Sequence, residues 1–306
     1  MLWADGWPAG AAGPSWNLIA DIQQLWSFPF MVNAFRAGTL IAVTSAVIGW
    51  FMVARRQSFA GHTLAMVGFP GAAGATLIGV SATYGYFAFC VAAAIVIAAV
   101  PRAGRQSLGH ESAVTGTVQT FALACGFLFV ALYKGLLNGI DSLLFGTFLG
   151  ITNGQVVLLA IVTVAVLGVL AVIGRPLLFA TVDPTVAAAR GVAVRALSTG
   201  FLILLGAAAA EASQITGTLL VFALLVMPAA TGQILTARPA ASMTLSVLIA
   251  VAVTWLGLGV AYYSNYPIGF FVTTIAFALY LAAHVLRGVQ RIRGRREHRA
   301  LVGTAA

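Results

Sequence analysis

Charge is what this sequence has least of. Asp, Glu, Lys and Arg together make up 8% of its 306 residues, against 61% hydrophobic side chains, far below the ~25% charged residues of a soluble globular domain. A water-facing surface cannot be built from that, so the composition excludes a soluble enzyme and places the chain among polytopic membrane proteins. Lysine is almost absent. Lys134, in Tyr133-Lys134-Gly135, is the single one, and no GxxxxGK[ST] run exists to cradle a nucleotide. That excludes an ATP site of the chain's own. There is no HExxH helix and no Ser, His and carboxylate set at credible spacing, so the chain is not expected to be an enzyme or to need a cofactor. The two cysteines, Cys90 and Cys125, lie inside apolar runs and are too few for a disulfide framework or a cysteine-built metal site. They read as packing residues. The first 30 residues hold Asp5 and Asp21 but no basic residue, which argues against a cleavable signal peptide.

What is present is a series of apolar runs of about 20 residues, the length a ~30 Å hydrocarbon core requires. They fall at about 33–54, 58–79, 83–101, 112–133, 154–173, 195–213, 215–235, 242–263 and 268–286. The fold class expected is therefore all-α, a polytopic membrane helical bundle of about nine transmembrane helices, with eight or ten as neighbouring counts. With Arg55 and Arg56 in the cytoplasm, alternation puts every other basic residue there except Arg36 and Lys134, fourteen of the sixteen. That side bias sets the N-terminus outside and the C-terminus inside. Residues 1–32 form an extracytoplasmic or interfacial segment, rich in Trp3, Trp7, Trp16 and Trp26, suited to lying on the bilayer surface. Residues 33–286 form the transmembrane domain and 287–306 a basic cytoplasmic tail, whose partner is the anionic inner leaflet of membrane lipid and not nucleic acid. Gly135–Gly154, apolar but interrupted by Asn138, Asp141 and several glycines, fits an outer-face or re-entrant segment.

Polar chemistry inside the spans is sparse, and ionisable groups there are functional hypotheses by default. The stretch Arg55–Gly79 places His62 and Met66 four residues apart, on one helix face. Pro70 has no amide hydrogen for the carbonyl of Met66, and Pro228, in a later span, frees that of Leu224 in the same way. Two proline-interrupted spans are a sequence pointer to a path through a transporter. Gly68, Ala72, Ala75 and Gly79 form a second, small-residue face for close helix approach. Glu211 falls near the outer end of its span, where it caps the helix, pairs with Arg36 or gathers cations at a pathway mouth. Glu111, beside His110, reads as a carboxylate at a helix N-terminus, and His284 as an interfacial residue. Between the fifth and sixth spans, Asp183 reads as an N-cap, Pro184 as the first helical position and Gly191 as a stop, giving a short surface helix Pro184–Arg190. Such a helix suits docking to a cytoplasmic partner.

The ordered set ARRQSFAGHTLA and GFPGAAGA after the first span, LLFGTFLGIT after the fourth, DPTVAAARG in the loop and TGTLLVFALLVMPAAT in a late span resembles one family. It is similar to the membrane permease subunit of the ATP-binding-cassette transporters that import zinc, manganese or iron, over about Phe30 to Arg287. The resemblance implies cytoplasmic ATPase subunits, an extracytoplasmic metal-binding protein and a second permease subunit, identical or different. It also implies that Pro184–Gly191 is the helix that seats in the ATPase and that the positions of His62 and Met66 meet the ion. Family members commonly show GDxLxHA at those positions. Here GHTLAMV puts imidazole for the acid and thioether for the imidazole.

The sequence thus leads to a multi-pass permease of the cell membrane, importing a divalent transition-metal ion. Imidazole with thioether ranks zinc ahead of manganese or iron. A permease for a metal chelate or other small solute, and a carrier or channel acting without an ATPase, are the alternatives. The topology is open to direct test: cysteines placed at Lys134 and at Arg238 are expected to react with impermeant reagents from opposite faces. Labelling of both from one face would overturn the nine-span arrangement.

Overall fold

The computed structural model describes residues 18–99, 107–133, 146, 150–264 and 266–303. Side chains are described for 23–99, 112–133, 146, 150–218, 220–264 and 266–290. Lys134, Asp141, Arg102 and Arg105, the side chains of His110 and Glu111, and the arginines beyond residue 290 lie outside these.

The described chain folds into α-helices: α1 (Leu18–Ser27), α2 (Pro29–Ala54), α3 (Ser58–Leu77), α4 (Ala82–Ala99), α5 (Ser107–Leu132), α6 (Asn153–Val182), α7 (Pro184–Ala189), α8 (Val194–Thr216), α9 (Thr218–Leu235), α10 (Pro239–Tyr262) and α11 (Ile268–Gly303). Each of the nine apolar runs corresponds to one helix. Among the described residues seven of these, α2, α4, α5, α6, α8, α10 and α11, are long and apolar enough to cross a membrane. α3, with Pro70 in its interior, is less apolar than these, whereas α9, with Pro228 in its interior, is strongly apolar from Leu220 to Leu235. Both are surrounded by other helices. α3 is enclosed by α4, α5, α8 and α9, and α9 by α2, α8, α10 and α11, so protein and not lipid receives their prolines, glycines and histidine.

Small residues set the approach of these inner helices. A Cβ added at Gly71 of α3 would lie 2.2 Å from the carbonyl oxygen of Gly85 in α4, and one at Gly49 of α2 would lie 1.9 Å from that of Leu225 in α9. The small-residue face expected on α3 exists: Gly68 meets Tyr86 and Ser213, and Ala72 packs with Tyr86, Cys90 and Ala210. Gly79 lies outside it, past the end of the helix with φ +75°. Cys90 is fully buried, as packing requires, and its thiol donates to the carbonyl of Leu64 at 3.2 Å.

Two features depart from the sequence reading. α6 runs through Pro176 to Val182, nine residues beyond the expected span, so the following loop is shorter than read. Pro176 removes one hydrogen bond, to the carbonyl of Val172 in a turn that is itself exposed, while Leu177 stays fully buried; packing on one face outweighs the break. The second departure is the position of the one-residue turn between α8 and α9, three residues later than read. The turn is Gly217 at φ 70°, and Gly146 at φ 78° lies so close over it that a Cβ would fall 2.1 Å from the carbonyl of Ile215. The part of 135–154 that the structure describes thus covers the α8–α9 turn. At the other end of the chain, α1 precedes α2, with Trp26 stacked on Phe35 (5.8 Å, 4°) and edge-on to Trp255 (6.4 Å).

The glycine contacts predict a graded series. Gly49→Ala must push α9 away from α2, since the obstacle is backbone, and is expected to cost about 1–3 kcal/mol. Gly168→Ala, with nothing within 4 Å of the new carbon, is expected to be neutral or slightly stabilising. Thermal unfolding of the two variants in one detergent measures the difference, and equal stabilities would refute the close approach.

Candidate functional site

His62 enters α3 one turn above the start of the helix at Ser58, in a run whose Ala60, Gly61, Thr63, Leu64 and Ala65 are all buried. Its own ring is half-buried. The edge of the ring meets Phe222 of α9, with centroids 4.9 Å apart and planes at 71°. Nδ1 is buried without a hydrogen-bond partner. A buried nitrogen with nothing to bond costs about 1–3 kcal/mol, so it calls for an explanation, such as a bound water or ion. Met66 is half-buried one turn further on, on the same face. Thr63, beside His62, donates to Gln119 of α5 at 2.8 Å, and Pro70 is buried against Gly126 of α5. The structure therefore brings His62 onto the Pro228-bearing helix, with α5 closing the far side of α3.

Glu211 belongs elsewhere. Its Oε1 accepts a hydrogen bond from Thr163 of α6 at 2.6 Å, and Thr44 of α2 donates to Thr163 at 3.1 Å. Its Oε2 is buried without a partner. The residue is 1% exposed, and Thr44 sits near the middle of α2, so the carboxyl is deep in the bundle. The expected ion pair with Arg36 is absent, because Arg36 is exposed and Glu211 turns to α6 and α2. Capping is equally absent: the acceptor is satisfied by a hydroxyl from another helix, not by amides of its own. Nor is it a mouth in this conformation, since no solvent reaches it. Among the described residues no group of three or more His, Cys, Asp or Glu could hold a metal ion, so any ion contact at His62 and Met66 has few protein ligands. His284 hydrogen-bonds within its own helix, Nδ1 lying 3.3 Å from the carbonyl of Tyr280.

The short helix is built as its sequence requires. Asp183 Oδ1 accepts from the amides of Thr185 (3.0 Å) and Val186 (2.9 Å), and Pro184 occupies the first turn. The helix ends at Ala189, with Arg190 as its C-cap, one residue short of the expected boundary. Gly191 has φ +81°; its amide reaches the carbonyl of Ala188 and that of Val192 the carbonyl of Ala187, both at 3.0 Å. That paired pattern needs a left-handed residue, which glycine supplies without strain. Ala187 is fully buried, and seats the helix on the bundle.

Sequence reasoning missed what lies behind it. Arg55 sends Nη2 to Ser198 of α8 (2.6 Å), Nη1 to Thr181 of α6 (3.2 Å) and Nε to Gln57 (3.2 Å), with its guanidinium 5.5 Å from the centre of the Phe201 ring. These groups border a cavity of about 600 Å³ whose walls include Arg55, Thr181, Pro184, Ala188, Arg195 and Ser198. Thr44, Thr163 and Phe222 were also unremarked. A hydroxyl in an apolar span is a weak signal, and Thr163 stands 119 residues from Thr44 and 48 from Glu211, so nothing local pairs them.

Comparison with known proteins places these features in context. A model described as "ABC 3 transport family" matches residues 27–287. The manganese import system permease protein ScaB of Streptococcus parasanguinis is 27% identical over 270 residues, covering 88% of this chain and 95% of that protein. The chelated iron transport system membrane protein YfeC of Yersinia pestis is 26% identical over 262 residues, covering 86% and 88%. Among solved structures, PsaBC from Streptococcus pneumoniae in complex with Fab superposes with a TM-score of 0.77 at 24% identity, over 87% of this chain and 95% of that one.

Proposed function

We propose that this chain, which belongs to the ABC 3 transport family, is the permease subunit through which a divalent transition-metal ion enters the cell, driven by ATP hydrolysed on a separate subunit. It is a multi-pass helical protein of the cell membrane. Nine crossings, with the N-terminus outside, remain our topological reading. The observation that carries the proposal is the unpartnered Nδ1 of His62, held on one proline-interrupted helix against the other. An imidazole nitrogen is a good ligand for a transition metal, and a site with few neutral donors binds weakly enough for the ion to leave, as conduction needs. Met66 and the carbonyls freed by Pro70 and Pro228 complete the set we assign to the path.

Ligand chemistry and kinship bear differently on which metal. Imidazole and thioether favour zinc, whereas the relatives are named for manganese and for chelated iron. The ion is thus a divalent transition metal whose identity turns on His62. The absence, among the described residues, of any larger ligand cluster, together with the chelated-iron relative, favours a metal chelate as the second reading. A carrier working alone is disfavoured by α7, because a capped, sharply terminated helix seated on the bundle has the form of a docking element. On this reading the partners are ATPase subunits in the cytoplasm, an extracytoplasmic metal-binding protein and a second permease subunit.

Two experiments test the reading. In cells, His62→Ala is expected to lower metal uptake roughly tenfold, the worth of one contact of ~1.4 kcal/mol, and His62→Asp to shift preference toward manganese, a harder ion suited to a carboxylate. Unchanged uptake and preference in both variants, at equal expression, would make His62 a packing residue. Gly191→Val places a β-branched residue at positive φ, a strained conformation. It is expected to abolish metal-coupled ATP hydrolysis by the assembled transporter while leaving the chain inserted. Gly191→Asn, which tolerates that φ, should retain most of it; full coupling in the valine variant would remove α7 from the drive.

A further inference from the structure

The Glu211 carboxyl takes no part in the path proposed above, and its surroundings give it another role. α6 and α8 are packed side by side and are joined in sequence through α7. They are tied to each other, and to α2, at two levels. At the α7 end, Arg55 of α2 binds Thr181 of α6 and Ser198 of α8. Deep in the bundle, Thr44 of α2, Thr163 of α6 and Glu211 of α8 form a hydrogen-bonded chain. Between the two levels lie 11 residues of α2, 13 of α8 and 18 of α6, or about 16 to 27 Å of helix at ~1.5 Å per residue.

One tie between two helices is a pivot, about which they splay or slide; two ties at separate levels fix them as one body. The large buried side chains of α8, Phe201, Leu202, Leu205 and Ile215, lie on either side of residues 206–212, and the second tie holds the stretch between them. Around Glu211 it reads Gly206-Ala207-Ala208-Ala209-Ala210-Glu211-Ala212, a surface without large side chains to interdigitate, and lipid supplies no hydrophobic drive between helices. The first level alone would let motion of α7 be lost in sliding of α8 along α6. We propose that Glu211 is a positioning residue: through Thr163 and Thr44 it locks α2, α6 and α8 into a strut that carries displacement of α7 into the middle of the membrane. This rests on the reading of α7 as the element driven by the ATPase. In this role Glu211 acts through α6 and α2, by the oxygen that Thr163 holds.

The test uses the complete transporter reconstituted in proteoliposomes, with manganese uptake and ATP hydrolysis measured together. Glu211→Ala and Thr163→Val, the latter nearly isosteric and so safe for folding, are each expected to lower metal transported per ATP by roughly tenfold, a typical coupling effect. ATP hydrolysis itself should persist. The double variant should be no worse than either single one, since both remove the same bond. Glu211→Gln, which keeps an acceptor for Thr163, should recover the ratio to within about threefold of the native protein. Unaltered ratios in Glu211→Ala and Thr163→Val would overturn the strut. So would a Glu211→Gln variant as impaired as Glu211→Ala with a changed metal preference, which would make the carboxylate an ion ligand. No ATP-driven uptake by the unmodified assembly would instead overturn the parent reading.

Discussion

Inside a bilayer nothing but the protein can satisfy a polar group, and nothing drives helices together by releasing water. The architecture of this chain follows from those two facts. Every described element is helical, because helices alone satisfy their backbones without neighbours. Association then depends on close contact and on hydrogen bonds between helices. Gly49 against Leu225, Gly71 against Gly85 and Gly206 against Cys90 are backbone-to-backbone approaches that multiply dispersion contacts where a larger residue would keep the helices apart. Trp50 to Ser242 (2.9 Å), Gln233 to the carbonyl of Trp50 (2.8 Å) and Asn33 to the carbonyl of Ile151 (3.1 Å) supply the polar ties.

The same constraint explains the two layers of composition. Helices with exposed faces, such as α6 with Val157, Ile161, Val164 and Val172 exposed, present apolar side chains there over most of their length. Helices enclosed by others need not do so. α3 therefore tolerates a histidine, a proline and several glycines, and loses the strong hydropathy that marks a span. Low hydropathy in a helix that still lies within the bundle is thus a sign of enclosure. On the proposed reading it is also a sign of the path, since irregular backbone at membrane depth is tolerated only where protein or a cavity receives it.

Much of this was legible in the sequence, for reasons that differ by level. Helix existence rests on runs of apolar residues, a signal internal to each run, and each of the nine has its helix. The α7 cap rests on Asp183, Pro184 and Gly191 within nine residues, and its hydrogen bonds are those that spacing requires. The extent of α6 was misjudged because Pro176 is a strong local signal against helix, while the burial of Leu177 that overrides it is a tertiary fact. Glu211 was misplaced for a similar reason. Its nearness to the end of α8 is a sequence property, but depth depends on where the α8–α9 turn lies, and Gly146 stacked over Gly217 shows that turn to be covered by other chain. The hydroxyls that receive the carboxyl come from helices far away in sequence, so no spacing rule reaches them.

Two kinds of polar group therefore need to be told apart within one apolar bundle. His62 is half-buried, unbonded at Nδ1 and flanked by an aromatic edge and a thioether, none of which holds it to another helix through a hydrogen bond. Glu211 and Arg55 are bonded across helix boundaries, each to hydroxyls, which accept or donate by rotation without bringing a second charge into the membrane. His62 has no hydrogen bond to a neighbouring helix at Nδ1, whereas Glu211 spends one carboxyl oxygen on Thr163 and keeps the other unbonded. Few and neutral donors along the proposed path favour a brief residence of the ion. Polar groups off the proposed path, held by hydroxyls, form the joints between helices. On the proposed reading, the separation of these roles between α3 and α9 and the trio α2, α6 and α8 would let an ion move past helices that themselves stay in register.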